Sequence, residues 1–220
     1  MKELLASIRK NAIGLGLFAV VTAGAIAVAQ VGTADRIEHN LKLAQAKALN
    51  EIVPLGSYDN DLLADTVAVD ERFNQQLLGP IGEKARIHIA RQDGKIKTLI
   101  LPVVAPDGYT MEIGMLVGVN ADGTVAGVRV ISHRETPGLG DKIDLKKSNW
   151  VSEFEGKSLA QTGEDKWAVK KDGGVFDQFT GATITPRAVV GAVKHALMFF
   201  QQHQTQLLNL PQPVHASEAN

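Results

Sequence analysis

The sequence contains no cysteine among its 220 residues. Disulfide bonds, iron–sulfur clusters and thiolate metal sites are therefore excluded as features of this chain. If the protein carries electrons, they must reside on a bound organic cofactor, because no cysteine is available to hold a metal cluster.

An excess of charge of either sign is also missing. Lysine and arginine number 23, aspartate and glutamate number 24, and the net charge is −1. The two signs are interspersed, so no basic surface is expected that would attract phosphate backbones. The sequence therefore predicts no nucleic-acid partner.

The usual catalytic and metal-binding patterns are absent as well. The six histidines show no ligand spacing, so no metal site is expected. There is no Walker or Rossmann glycine pattern and no Gly-x-Ser-x-Gly. None of these patterns therefore points to a catalytic residue.

One long apolar run lies near the N-terminus. Residues 12–29 carry no charge, and at about 1.5 Å per residue they nearly cross the ~30 Å hydrocarbon layer. Because Lys2, Arg9 and Lys10 precede the run, the positive-inside rule predicts a cytoplasmic tail (1–10), an anchor (11–30) and an exported remainder. A cleavable signal peptide is the alternative, but the run exceeds the usual core of about 7 to 15 residues.

The segment after the anchor predicts a helical connector over residues 31–54. Thr33 is placed to cap this helix, and Pro54 with Gly56 is placed to end it. We expect the connector to lift a globular domain, residues 55–205, off the membrane. Residues 206–220 are expected to form a disordered tail.

Residues 85–131 predict four strands joined in two hairpins. Apolar and polar residues alternate before and after the turn Asp93-Gly94, and again on both sides of the turn Ala121-Asp122-Gly123. We therefore predict an α+β fold: an N-terminal transmembrane helix, then a periplasmic domain with an antiparallel sheet and flanking helices.

Weaker patterns surround these strands. Residues 55–80 have no clear period. Residues 145–154 favour a short helix, residues 167–169 a short strand, and Gly173-Gly174 a turn.

The most informative segment is Asp177-Gln178-Phe179-Thr180-Gly181-Ala182-Thr183, which leads into an apolar helical pattern. Thr185 fits as the N-cap and Pro186 as the first residue of a helix ending near Gln202. Thr183 is then the freer hydroxyl, beside two small residues and a helix start that favours phosphate. The alternative is a tight turn before a capped helix, with no ligand.

Two motifs connect the chain with a known family. The segment 177–183 resembles the flavinylation motif Asp-x-x-(Ser/Thr)-Gly-Ala-(Thr/Ser) of the FMN-binding domain family of membrane flavoproteins. The loop Glu135-Thr136-Pro137-Gly138-Leu139-Gly140 looks like a second motif of that family. With one N-terminal membrane helix, the chain resembles the G subunits of the Rnf (or Rsx) ion-translocating electron transport complex of Gram-negative bacteria. These are relatives of the C subunit of the sodium-translocating NADH:quinone reductase.

The resemblance implies FMN joined through its phosphate to a threonine, which by motif position is Thr183. It also implies an inner-membrane subunit that relays electrons among the other subunits of a complex. The phosphoester would be made by a separate flavin transferase that uses FAD and Mg²⁺. The remaining residues implied at the cofactor are Thr180, Gly181, Ala182, Thr185 and Asp177 around the attachment turn, and Glu135, Thr136, Gly138, Leu139 and Gly140 along the flavin ring.

Two other functions stay open at this point. A periplasmic, membrane-anchored module that binds FMN non-covalently and has only an assembly role is the first. A secreted hydrolase with Thr183 or Thr180 as nucleophile is the second, although no base is placed in sequence to activate either hydroxyl.

Overall fold

A computed structural model describes residues 2–212, and the chain divides into two compact units, residues 1–45 and 46–220. Helix α1 runs from Lys2 to Ile52. Its segment Asn11–Ala34 has the length of a membrane span and a mean hydropathy of 2.3, and its most apolar stretch is not buried by other parts of the chain. One apolar N-terminal helix of this kind fits a single-pass membrane protein.

The expected helix start at Thr33 was wrong. The Thr33 hydroxyl donates to the Ala29 carbonyl four residues earlier, at 2.8 Å, so it lies inside α1. A threonine hydroxyl that donates to a carbonyl of its own helix lies in the interior of that helix and does not act as an N-cap. The anchor and the connector are therefore one helix, which ends just before Pro54, as expected.

The second unit is built on a five-stranded antiparallel sheet whose strands follow the order of the sequence. The four predicted strands are confirmed, and Asp93 and Gly94 both have positive φ (51° and 73°), as a type I′ hairpin requires. A fifth strand lies in the segment without a clear period, where three residues are too few to show one. The strands are β1 (Thr66–Ala68), β2 (Arg86–Gln92), β3 (Lys95–Ala105), β4 (Ile113–Asn120) and β5 (Val125–Ser132).

Both faces of the sheet are covered within this unit. The long C-terminal helix packs on one face against β3 and β4, and its buried residues belong to one apolar cluster with residues of β2 to β5 such as Leu101 and Val117. Leu49, Ile52 and Val53, at the end of α1, belong to a second apolar cluster with Ala90, Ile100 and Leu116 of the opposite face. Alternate strand residues point to opposite faces, which explains why β3 is buried almost throughout.

Two short elements predicted between the sheet and the last helix were wrong. A 3₁₀ turn, Trp150–Phe154, replaces most of the helix expected over 145–154. The strand expected over 167–169 is reduced to one bridge between Val169 and Phe176. The aromatic side chains here stack in a cluster, with Phe154 and Phe176 at 4.5 Å between ring centroids, and this packing outweighs the weak local pattern.

The α-helices after the sheet are α2 (Leu159–Thr162) and α3 (Ile184–Leu208). The helix predicted from Pro186 to Gln202 is thus longer at both ends. Residues 206–208, expected in a disordered tail, belong to α3, and Leu207 is fully buried. Residues 213–220 of that predicted tail lie outside the described residues.

Candidate functional site

The segment before α3 forms a tight turn that depends on Gly181. The Ala182 N–H donates to the Phe179 carbonyl at 3.1 Å, which closes a four-residue turn. Gly181 has φ +83° while Thr180 does not have a positive φ, the combination of a type II turn. Only glycine takes this conformation without strain, so the backbone of the turn requires the glycine that the motif specifies at position 181.

An aromatic side chain that no sequence signal indicated holds this turn in place. The Trp150 indole N–H donates to the Asp177 carbonyl at 2.8 Å. The Trp150 ring also meets the Phe179 ring edge to face, with 5.1 Å between centroids. Trp150 therefore attaches both the start and the middle of the motif to the buried aromatic cluster.

The Asp177 side chain points to solvent. Its carboxylate is 54% exposed and lies 2.5 Å from the Lys170 ammonium, which raises the pKa of that lysine. Thr180 is exposed as well. These two motif residues form the outer surface of the turn, where another protein can reach them.

Thr183 lies immediately before the first turn of α3. Its side chain is half-buried, and among residues 2–212 its hydroxyl has no hydrogen-bond partner. Within residues 2–212, no acceptor is present for the backbone N–H groups of Thr183, Ile184 and Thr185, and Pro186 has no N–H. A free hydroxyl thus stands next to free N–H donors at the positive end of a 25-residue helix.

Thr185 does not cap α3, and that expectation was wrong. Its hydroxyl donates to Glu135 Oε2 instead, and Thr185 is only 1% exposed. A buried carboxylate is a stronger acceptor than a neutral group, so it holds the hydroxyl away from the helix end. The conclusion that Thr183 is the freer hydroxyl still stands, for a different reason.

The loop 135–140 brings Glu135 to that position. The N–H groups of Leu139 and Gly140 both donate to the Thr136 carbonyl at 3.1 Å, which curls the loop back on itself. Glu135 is 4% exposed, and its Oε1 accepts the Thr110 N–H at 3.1 Å. Glu135 is therefore turned inward to the protein.

The two motifs face one another across one cavity of about 290 Å³. Most of the residues expected at the cofactor line it, Thr183 among them, whereas Asp177, Thr180 and Gly138 lie outside. Tyr109 and Ile184 also line the cavity but had no sequence signal. The lining residues are Tyr109, Glu135, Thr136, Leu139, Gly140, Gly181, Ala182, Thr183, Ile184 and Thr185.

The rim of this cavity is apolar and open to solvent. Tyr109 is 65% exposed, Leu139 41% and Ile184 45%, although such side chains are usually covered. Two larger cavities, of about 540 and 320 Å³, contain no residue of either motif. We therefore regard the 290 Å³ cavity as the candidate functional site, because of the residues that line it and not because of its size.

Comparison with known proteins identifies the family of this chain. The FMN-binding domain model matches residues 108–198, and the model of the RnfG N-terminal region matches residues 1–52. The G subunit of the ion-translocating oxidoreductase complex of Vibrio cholerae serotype O1 is 45% identical over 210 residues, 96% of this chain and 98% of that protein. The protein of the same description from Pseudomonas aeruginosa is 49% identical over 202 residues, 92% of each. The chain belongs to this family of G subunits.

The two matched regions correspond to different parts of the structure. The FMN-binding domain match includes both motifs, Tyr109 and Trp150, and the N-terminal match ends at Ile52, the last residue of α1.

Among solved structures, the C subunit of the Na⁺-translocating NADH-quinone reductase from Parabacteroides distasonis is similar, with a TM-score of 0.44 and 27% identity. That similarity covers 56% of this chain and 64% of that one.

Proposed function

We propose that this protein carries electrons on FMN esterified through its phosphate to the Thr183 hydroxyl. The observation that carries the proposal is the unpartnered Thr183 hydroxyl, at the start of α3, in a cavity lined by both motifs. A phosphate joined there would accept hydrogen bonds from the N–H groups of Thr183, Ile184 and Thr185, and the dipole of α3 would favour its negative charge.

The residues around the cavity fit the other end of an FMN molecule. Tyr109, Leu139 and Ile184 offer exposed apolar surface on which a planar ring can lie, and covering them gains the free energy of apolar burial. FMN supplies one-electron redox chemistry when it is bound, while this chain holds it and sets its surroundings. An exposed rim also suits exchange of electrons with neighbouring subunits.

Attachment requires a separate flavin transferase, because an ordinary threonine is a weak nucleophile. In the balanced reaction, the Thr183 oxygen attacks the FMN-side phosphorus of FAD, and the bond between the two phosphates breaks. AMP leaves, and the hydroxyl proton passes to a base of the transferase. The exposed side chains of Asp177 and Thr180 are the part of the motif that this enzyme can contact.

We further propose a single-pass inner-membrane subunit with a cytoplasmic N-terminus and a periplasmic flavin domain. Lys2, Arg9 and Lys10 on the N-terminal side of the apolar segment support this orientation. The other subunits of an ion-translocating complex are the electron-transfer partners. A covalent bond suits this location, since a cofactor that dissociated outside the cytoplasm would be lost.

The decisive experiment is co-expression with a flavin transferase, followed by ultraviolet illumination of the denatured chain on a gel. We expect a fluorescent band for the wild type and for Thr183→Ser, which keeps the hydroxyl. Gln178→Ala, at a position that the motif leaves open, is the matched control and should keep the band. Thr183→Ala should lose it.

Each other outcome contradicts the proposal. A band that survives Thr183→Ala would put the ester elsewhere. Flavin that is present in the native protein but leaves on denaturation would favour the non-covalent module. Reaction of Thr183 or Thr180 with an acyl or phosphoryl probe would favour the hydrolase.

The absence of cysteine makes the orientation directly measurable. Single cysteines introduced by Lys95→Cys and Arg9→Cys, both at exposed positions, are treated in intact spheroplasts with a membrane-impermeant maleimide. We expect labelling at position 95 and none at position 9. The reverse pattern would overturn the proposed topology.

A further inference from the structure

Three threonines lie within one six-residue segment of this site, and the hydroxyl of each is a possible point of FMN attachment. Thr180 is exposed, Thr183 is half-buried, and Thr185 is 1% exposed. Thr183 and Thr185 both line the same cavity. A transferase that recognises only a short surface turn cannot by itself distinguish Thr183 from Thr185. The substrate protein must therefore make one of these hydroxyls accessible and keep the other unreactive.

We propose that Glu135 is the positioning residue that selects Thr183 over Thr185 as the site of FMN attachment, an inference that rests on the proposed function. Glu135 lies 50 residues before Thr185 in the sequence, and its two carboxyl oxygens are divided between two partners. Oε2 accepts the Thr185 hydroxyl and Oε1 accepts the Thr110 N–H. The carboxylate thus ties the first turn of α3 to the segment before β4.

The loop around Glu135 is shaped for this contact. A Cβ on Gly140 would lie 2.8 Å from Thr185 Oγ1 and 3.0 Å from both Glu135 Cβ and Glu135 Oε2. The 2.8 Å distance is shorter than a side-chain carbon tolerates, so a larger residue would have to displace the Thr185 hydroxyl or the Glu135 carboxylate. Glycine at position 140 therefore leaves room for the Glu135–Thr185 hydrogen bond.

The contact withholds Thr185 from the reaction in two ways. Esterification of Thr185 would remove the proton that its hydroxyl donates to Glu135, leaving one carboxylate oxygen buried without its partner. It would also put a phosphodiester anion against a buried carboxylate, and like charges repel strongly where water is excluded. The Thr183 hydroxyl does not face the first cost, because among the described residues it has no hydrogen bond to give up.

The same contact positions Thr183. With Thr185 held, the start of α3 has one orientation, and the Thr183 hydroxyl stays beside the free N–H groups that receive the phosphate. Loss of the contact should therefore lower transfer to Thr183 and open Thr185 at the same time. A purely structural role would lower yield without changing which hydroxyl is modified.

The test uses the full-length chain with the transferase, FAD and Mg²⁺, and measures modification by peptide mass spectrometry. Cleavage after Lys171 and after Arg187 gives one tryptic peptide that contains all three threonines, so fragment ions assign the modified one directly. We compare the wild type with Glu135→Gln and Glu135→Ala. Glutamine can accept the Thr110 N–H or the Thr185 hydroxyl through its oxygen, and its amide nitrogen can donate to Thr185.

We expect Glu135→Gln to keep the rate at Thr183 within about twofold of the wild type. Glu135→Ala should lower that rate about tenfold, the value of one hydrogen bond, and the Thr185 ester should appear. Unchanged rate and unchanged site in Glu135→Ala would overturn the inference. So would a loss of Thr183 modification that Gln does not restore, since the hydrogen bonds would then be irrelevant.

Thr185→Val supplies a second, independent arm in case Glu135→Ala does not fold. Valine keeps the shape of threonine but removes the donor, so transfer to Thr183 should fall to a similar degree, and Thr185→Ser should restore it. In the double variant Glu135→Ala/Thr185→Val, the two losses should not add, because both remove one interaction. Additive losses would overturn the inference.

Failure of this inference is distinguishable from failure of the proposed function. A wild-type peptide without any FMN adduct defeats the proposed function. A wild-type adduct on Thr183 together with unaltered variants defeats only the role of Glu135.

Discussion

Ile52, in the last turn of α1, occupies the space that a side chain at Gly118 would need. A Cβ built on Gly118 would overlap Ile52 Cγ2. Gly118 on β4 pairs with Gly127 on β5, so two facing glycines form a depression in the sheet for one isoleucine. Within the second unit, the Ile52 side chain therefore fits into this depression and holds the end of α1 against the sheet. The Arg129 guanidinium also donates a 2.7 Å hydrogen bond to the Glu51 carbonyl.

The first prediction concerns this glycine pair. Gly118→Ala should lower the free energy of unfolding by about 1–3 kcal/mol, because it overpacks a filled contact. Gly127→Ala is the control, since its Cβ would lie 3.5 Å from Ile52 Cα, an ordinary contact, and it should stay within about 0.5 kcal/mol of the wild type. Urea unfolding of the detergent-solubilised chain, followed by tryptophan fluorescence, measures both. Equal values for the two variants would contradict the seating of Ile52.

The second prediction concerns the buried ion pair between Arg91 and Asp65. Both side chains are 5% exposed, their closest atoms are 2.8 Å apart, and Arg91 Nη2 also donates to the carbonyls of Leu210 and Pro211 after α3. Arg91→Leu should lower the free energy of unfolding by about 3–5 kcal/mol, because it leaves the buried Asp65 carboxylate without its cation.

An exposed pair provides the control for that measurement. Arg72 and Asp70 are also 2.8 Å apart, but their side chains are 55% and 44% exposed. Arg72→Leu should leave the urea midpoint unchanged, because solvent screens such pairs. A similar shift in Arg72→Leu and Arg91→Leu would show that burial does not set the effect.

The third prediction concerns His88, a 5% exposed residue of β2 whose Nδ1 lies 2.7 Å from the Leu62 carbonyl. Burial lowers the pKa of His88, and the charge of Arg86 lowers it further, while the Leu62 carbonyl opposes them. As the pH falls below about 6.5, the unfolded chain takes up a proton that the folded chain refuses. Folding stability should therefore fall with pH from about 6.5 down to the lowered pKa of His88.

Comparison with a His88→Leu variant isolates this contribution. The wild type should lose up to about 1.4 kcal/mol per pH unit more than His88→Leu in that window, and the two slopes should agree above about pH 7.5. Urea unfolding between about pH 8 and about pH 5 gives both slopes. Parallel slopes throughout would exclude His88 as the source.

The fourth prediction concerns Trp150. Trp150→Phe keeps an aromatic ring in the cluster but removes the donor to the Asp177 carbonyl, so the free energy of unfolding should fall by about 1 kcal/mol. The rate of FMN transfer should fall as well, because the attachment turn loses a support. Trp167→Phe is the control: its indole N–H has a longer contact, 3.4 Å, to the Ser158 carbonyl, away from the motif. That variant should leave the transfer rate unchanged, and a rate unchanged in both would exclude Trp150 as a support of the turn.

Patterns that repeat along the chain were read correctly from the sequence, and isolated ones were not. The alternation in β2 to β5 and the turn at Asp93-Gly94 specify a meander, because neighbouring strands need only short turns. The three residues of β1, and the segments around Trp150 and Trp167, lack enough repeats to reveal a period. Their conformations depend on packing partners that lie elsewhere in the chain.

The site divides in the same way. The turn at Gly181 follows from residues that are neighbours in sequence, so local chemistry was sufficient to predict it. The greater freedom of the Thr183 hydroxyl was predicted from a local cap at Thr185 that the structure does not contain. The role of Thr185 was predicted wrongly, since capping considers only the local helix end. Glu135 competes for that hydroxyl from 50 residues away and wins through a buried, charge-assisted bond.

By itself, the amino-acid sequence determined the apolar span, the pairing of four strands and the turn before the last helix, because each depends on a period or on adjacent residues. Only the tertiary structure decided that Ile52 packs over Gly118, that Trp150 bonds to the Asp177 carbonyl beside the Gly181 turn, and that Glu135 accepts the Thr185 hydroxyl. Those contacts join distant parts of the chain. Their energies come from close packing and from hydrogen bonds shielded from water, which exist only once the sheet and α3 have come together.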